Sequence, residues 1–257
     1  YRNMEFARQC LFPDLDVHII STTDQWAQFA VAGPNSRAVL SKIIDNVDMS
    51  NDGFPFMACS DVTVCGETPG RLFRISFSGE LAYEVAVPAR YGDALIREII
   101  SAGEEFNITP YGTEALGVMR IEKGHVTGAE LNGQMTAFNI NMNNMISTKK
   151  DSIGSVLSRR EVMVADDQVR LVGVKTIKKS DSLSSGAHFL AENDKPTTQN
   201  DQGWITSVCY SPHFEQHIGL GFLERGHERH GEVLRAWDGI RGTCLLYTSP
   251  SPRDIGP

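Results

Sequence analysis

The sequence has no uninterrupted apolar stretch near the roughly 18 residues that a membrane-spanning helix needs, so no membrane partner is expected. Its five cysteines include no C-x-x-C pair, which argues against a zinc ribbon or a thioredoxin-type redox motif. Such sparse, irregularly spaced cysteines suit a reducing compartment, and a cytoplasmic location is expected. Positive charge is also short: 24 Lys and Arg face 32 Asp and Glu, for a formal charge of −8. Phosphate-backbone binding rests on an excess of cations, so nucleic acid is not an expected partner. A Walker-type lysine loop is missing. Gly219 and Gly221 form a G-x-G without the third glycine at dinucleotide spacing, and they sit among strand-like runs.

Metal-site spacing is missing too. His213, His217, His227 and His230 cluster in sequence, but Ser211-Pro212 and the surrounding turns remove the helical i, i+4 geometry that would let two of them share an ion. The run HERH is not the H-E-x-x-H pattern. Solvated loop histidines are the expectation, with no metal.

What is present is the profile of a globular chain of 257 residues, 41% hydrophobic and 22% charged, long enough for one large or two smaller cores. Residues 1–12 are helix-compatible, and Tyr1-Arg2-Asn3-Met4 reads as the middle of a helix, so the chain is expected to be part of a longer protein. Residues 16–20 and 26–32 read as strands. Gly33-Pro34 then opens an amphipathic helix carrying Val39, Leu40, Ile43 and Ile44. Over 71–88, Phe73, Ile75 and Phe77 alternate with polar residues, Ser78-Gly79-Glu80 turns the chain, and Tyr83, Val85 and Val87 alternate on the return. This predicts a β-hairpin. Helices are expected over 91–106 and 112–122.

From about 143 to 168 the composition turns polar, as expected of a connection. Beyond it, VRLVGVKTI, AHFLA, WITSVCY, IGLGFL and EVLRAW are short apolar runs separated by turn residues, the pattern of a small β-barrel. The predicted organisation is α+β: a domain over 1–145, a β-barrel domain over 146–243, and a tail over 244–257. Within the tail, 244–254 resembles the translation of a sequencing adaptor, so 244–257 is expected to stand outside the native fold.

Among candidate functional residues, Glu84 is the most informative. Its strand face carries Ala82 and Ala86, opposite the bulky face of Tyr83, Val85 and Val87. A carboxylate between alanines has room for a flat ligand and can accept two parallel N–H bonds, as a pterin or guanine edge offers. A solvent-facing strand glutamate fits the same spacing. Arg120 and Glu122 read as members of structural ion pairs, and His125 as a loop residue.

SFSGELAYEV, ITPYGTEALGVMRIEKG, GWITSVCYSP and IGLGFL together resemble, in order, the folate-binding aminomethyltransferase family of the glycine-cleavage T-protein. TDQWAQFAVAGPNSRAVL, PYGTEALGVMRIEKG and STKKDSIG are most similar to the C-terminal half of heterotetrameric sarcosine oxidase alpha subunits. The resemblance implies a T-protein-like α/β domain followed by a small barrel. It puts the pterin-binding glutamate at Glu84, the motif's leading aromatic (usually Tyr) at Phe77 and its second aromatic at Tyr83. Arg120 falls on the arginine of an L-R-x-E stretch, and the resemblance makes Glu84, Phe77, Tyr83 and Arg120 the expected cofactor-binding residues. The family's catalytic aspartate would precede residue 1, and no aspartate within 1–30 stands in its motif. NGQMTAFNINM occupies the place of a T-P-x-D-x-G-M-like stretch, with Ala137 for Pro and Asn139 for Asp.

The implied chemistry is transfer of the one-carbon unit of a sarcosine-derived iminium to tetrahydrofolate, giving 5,10-methylene-tetrahydrofolate and glycine. FAD, FMN and NAD would belong to other segments of the full complex, and other sarcosine oxidase subunits would be partners. Turnover by this stretch alone is not expected. A stand-alone aminomethyltransferase and a non-catalytic folate-binding module are the alternatives. Against the second, His125 follows Lys123-Gly124 where iron–sulfur-assembly members carry a cysteine.

Overall fold

Alternation of side chains builds the first sheet. In the computed structural model, which describes residues 1–150 and 152–249 (backbone only at Thr243 and Cys244), β1 spans Trp26–Ala32. Ahead of it, α1 (Arg2–Phe6) runs into a π-helical turn at Ala7–Leu11, and neither buries a residue. The strand expected over 16–20 does not form. A strand exists only through the ladder it joins; these residues join none, and Val17 and Ile20 stay exposed.

After β1, Gly33 adopts φ +116° and turns the chain into α2 (Ser36–Leu40). The helix is shorter than its apolar periodicity suggests. Ile43 and Ile44 reach the core from a turn, and Ile44 bridges to Val64. Then follow β2 (Cys59–Val64), β3 (Thr68–Phe73), β4 (Ala82–Pro88) and α3 (Gly92–Gly103). The sheet order is β1-β4-β3-β2, antiparallel throughout, which places β4 in the interior. The expected hairpin is therefore real but ends sooner: the β3–β4 ladder runs from Arg71↔Ala86 to Phe73↔Glu84, so Ile75 and Phe77 lie in the connection. One sheet face, with Val31, Leu72, Tyr83, Val85 and Val87, packs with Leu40, Leu95 and Ile99 of the helices into a single core.

The chain divides into two compact units, one of Tyr1–Ser76 with Glu80–Pro110, the other of Phe77–Gly79 with the chain from Tyr111 onward. The second unit holds α4 (Thr113–Lys123) and the strands β5 (Val169–Thr176), β6 (His188–Ala191), β7 (Gly203–Ser211), β8 (Gln216–Glu224), β9 (Val233–Asp238) and β10 (Gly242–Ser249). Its strands close into a barrel of order β10-β5-β8-β7-β6-β9, and the five apolar runs supply β5 to β9.

One feature of this unit departs from the sequence expectation. Residues 244–249 do not stand outside the fold. They complete β10, which pairs with β5 and β9 and closes the barrel, with Leu246 and Thr248 buried and Tyr247 partly exposed in alternation. Residues 250–257 lie outside the described residues. The compact units divide near residue 110, where α4, placed by sequence in the first domain, packs on β7 and β8.

The two faces of β8 explain both its apolar side chains and its glycines. Ile218, Leu220 and Phe222 pack with Ile121 of α4 and Leu171 of β5. Gly219 and Gly221 alternate with them, and a Cβ at Gly221 would lie 2.8 Å from the Phe189 ring and 2.7 Å from the Trp204 carbonyl. The G-x-G is thus a close-approach device of a barrel strand.

Candidate functional site

Glu84 occupies the central strand of the first sheet, on the face away from the helices. Directly across the ladders stand Ala30 on β1 and Phe73 on β3, and Ala82 and Ala86 lie two residues to either side on β4. The half-buried carboxylate therefore rises from a floor of three alanines with one aromatic neighbour. Gln28, opposite Ala86 on β1, reaches diagonally and donates its Nε2 to Glu84 Oε2. Sequence reading misses Gln28, whose contact spans 56 residues and depends on register.

Tyr83 is adjacent to Glu84 but faces the opposite way, as strand alternation requires. Its side chain is wholly buried, its hydroxyl accepts from Arg37 Nε at 2.9 Å, and its ring lies 6.4 Å from that of Phe54. Tyr83 is a core residue of the helix-covered face and does not share the Glu84 surface.

Phe77 and Arg120 both belong to the second unit, and His125 joins them. Arg120 lies on α4, and although an arginine it is only 9% exposed. Its Nη2 donates to Ser207 Oγ at 2.8 Å, and its Nη1 to Glu130 Oε2 and to the His125 carbonyl, both at 3.2 Å. Glu130 is fully buried and also accepts from the Thr127 amide, Ser207 Oγ and Thr206 Oγ1. Burial alone would raise its pKa; the hydrogen bonds from Ser207, Thr206 and Thr127 and the Arg120 charge outweigh that and hold it below the ordinary carboxylate value. Arg120 is thus a member of a structural ion pair, as its sequence allows; the partner, in the loop after α4, carries no periodic signal. Glu122 is also buried and accepts from Ser211 Oγ at 2.6 Å.

Beyond α4, Gly124 (φ +83°) terminates the helix, and the His125 amide donates to the Arg120 carbonyl at 2.8 Å. The His125 ring lies 6.0 Å from that of Phe77, and its Nδ1 is 2.8 Å from the Phe77 carbonyl. The loop departure at Asn139 also has a local reason. Its Oδ1 accepts from Thr136, while its Nδ2 donates to the Val169 carbonyl at 2.8 Å, a bond an ionised aspartate could not make.

The histidine cluster has ordinary partners. His217 Nδ1 accepts from the Leu183 amide at 2.9 Å, and His213 packs edge-on against Phe214. Among the described residues no group of three His, Cys, Asp or Glu is placed to hold a metal. Burial, then the Glu122 charge, pushes the Cys209 thiol up to about 12, which makes it a poor nucleophile. No helix among the described residues is long and apolar enough to cross a membrane.

A helix-backed antiparallel sheet with a half-buried carboxylate on an interior strand, followed by a closed six-stranded barrel that carries its own helix, defines a two-part class of proteins. Residues 1–150 match the GCVT N-terminal domain and residues 170–241 the glycine cleavage T-protein C-terminal barrel domain. The chain belongs to the glycine cleavage T-protein family. It is 46% identical over 242 residues to the sarcosine oxidase subunit alpha of Rhizobium meliloti (strain 1021), covering 93% of this chain and 24% of that protein. It is 40% identical over 230 residues to the sarcosine oxidase subunit alpha of Corynebacterium sp. (strain U-96), covering 88% and 24%. The chain thus spans about a quarter of the length of these relatives. The crystal structure of glycine cleavage system aminomethyltransferase T from Bartonella henselae shares the fold, with a TM-score of 0.72 at 18% identity, covering 89% of this chain and 59% of that one.

Proposed function

We propose that this chain is the folate-binding, aminomethyltransferase-like portion of a sarcosine oxidase alpha subunit. The observation that carries the reading is Glu84: a carboxylate on an interior strand, bordered by Ala30, Ala82 and Ala86 and already engaged by one amide donor from Gln28. A flat heterocycle needs a low floor, and the amide-plus-amine edge of a pterin supplies two parallel N–H donors that suit a carboxylate. The residues present fit such a group. The identity to sarcosine oxidase alpha subunits over nearly the whole chain supports the same assignment.

Tetrahydrofolate would supply the nucleophilic nitrogen that takes the one-carbon unit of a sarcosine-derived iminium, yielding 5,10-methylene-tetrahydrofolate and glycine. The contribution of this chain is to bind and orient: Glu84 fixes the pterin edge, so that encounter with the iminium becomes a reaction between positioned groups. FAD, FMN and NAD, and the other oxidase subunits, are assigned to the remainder of the complex.

Calorimetric titration of the 257-residue chain with tetrahydrofolate tests the reading. A charge-assisted hydrogen-bond pair is worth about 1.5–3 kcal/mol, so Glu84→Ala should weaken binding about tenfold to a hundredfold. Equal affinity in the two proteins would remove Glu84 from the site.

A further inference from the structure

On the open face of the first sheet, polar groups of opposite hydrogen-bonding character stand side by side. Glu84 lies between Ala30 and Phe73, while Ala86, two residues further along β4, lies between Gln28 on β1 and Arg71 on β3. Arg71 is committed elsewhere: its guanidinium lies over the Trp26 ring, 4.3 Å from the centroid, and its Nε is 3.6 Å from Asp61 Oδ1. Gln28 is exposed, and its Nε2 donates to Glu84 Oε2. An amide donor therefore stands against an oxygen that a ligand N–H has to take.

A ligand edge that takes both Glu84 oxygens forces an exchange. It replaces Gln28 Nε2 at Oε2, and the released amide stays close by, because its backbone is held opposite Ala86 in the β1–β4 ladder. In a pterin or a guanine, the ring N–H beside the exocyclic amine is flanked on its other side by a ring carbonyl oxygen. Glu84 cannot satisfy that oxygen, since an ionised carboxylate only accepts. An acceptor that loses water without gaining a donor weakens binding, and Gln28 Nε2 is the donor at hand.

We propose that Gln28 is a specificity-determining contact of this surface: on binding, its Nε2 passes from Glu84 Oε2 to the ring carbonyl oxygen of the ligand. Glu84 and Gln28 then read a lactam edge, an N–H beside a C=O, where Glu84 alone reads only N–H groups. The inference rests on the folate reading and deepens it, because it assigns a protein donor to the 4-oxo group of the pterin. Every residue it uses belongs to the first unit.

The test uses the full 257-residue chain and tetrahydrofolate as the probe. Gln28→Leu keeps most of the side-chain bulk and removes the donor, so calorimetry should show binding weakened about fivefold to tenfold, the worth of one net hydrogen bond. Gln28→Glu, which sets a second acceptor against the ligand oxygen, should weaken it further. If Gln28 merely covers Glu84, Gln28→Leu binds as tightly as wild type or more tightly, and that result overturns the inference. Infrared spectra of tetrahydrofolate labelled with carbon-13 at C4 give a readout that general loosening of the site does not imitate. At saturation, the C4 carbonyl stretch should lie at lower wavenumber on wild type than on Gln28→Leu, because a donated hydrogen bond weakens the C=O bond. An identical wavenumber on both overturns the inference. Binding that depends on Glu84 but not on Gln28 removes this inference alone, whereas absence of binding by the wild type removes the folate reading and this inference with it.

Discussion

Glu84 and Glu130 are two carboxylates in opposite circumstances. Every lone-pair direction of Glu130 is directed inward, to Thr127, Thr206, Ser207 and Arg120. Glu84 instead faces small side chains and the amide of an exposed glutamine. The first arrangement holds a fold together, and the second leaves room for a ligand. Removing the guanidinium with Arg120→Met would leave a buried charge with fewer donors, and should cost about 3 kcal/mol in urea unfolding of the second unit. A smaller loss, under about 1 kcal/mol, would mean that the pair is solvated. Because the folded pKa of Glu130 is depressed, its stabilisation is complete above the unfolded value near 4.5 and is lost as pH falls through the folded value. The stability gap between wild type and Glu130→Gln should therefore shrink on acidification from about pH 6 to about pH 3. A gap that widens would reverse the assigned sign.

At the scale of elements, glycine substitutions separate packing from propensity. Gly221→Ala drives a methyl into the Phe189 ring and the Trp204 carbonyl, and should destabilise the barrel by about 1–3 kcal/mol. Gly117, inside α4, has no atom within 4 Å of its would-be Cβ, so Gly117→Ala should stabilise by about 0.5–1 kcal/mol. Thermal melts with the same sign for both would contradict the packing described. The same elements mark what sequence can and cannot disclose. β1 and β5 to β9 are legible because each is an apolar or alternating run bracketed by turn residues. β2 escapes because CSDVTV mixes polar and apolar residues on a half-exposed strand. Residues 16–20 have the composition of a strand without a ladder to join. Residues 244–249 look like an adaptor translation, yet Leu246 and Thr248 have the alternation that a barrel edge recruits. The allegiance of α4 is hidden as well, since an apolar helix face does not name the sheet it will cover. Glu84 is visible from its alanine neighbours, whereas Gln28, Glu130 and Ser207 become its counterparts and those of Arg120 only through register and closure.

At the scale of the whole molecule, the chain combines two units of the glycine cleavage T-protein family and covers about a quarter of its sarcosine oxidase relatives. Oxidation of an amine and exchange with other subunits are thus proposals about a larger assembly, while folate recognition is the proposal that concerns this chain by itself. The central claim is that a pterin edge docks on Glu84. A crystal structure of the chain with tetrahydrofolate bound tests it most directly. Two pterin N–H groups should lie within hydrogen-bond distance of the Glu84 carboxylate, the ring over Ala30, Ala82 and Ala86, and Gln28 Nε2 displaced from Oε2. A bound pterin elsewhere, with the Gln28–Glu84 contact intact, would contradict the account.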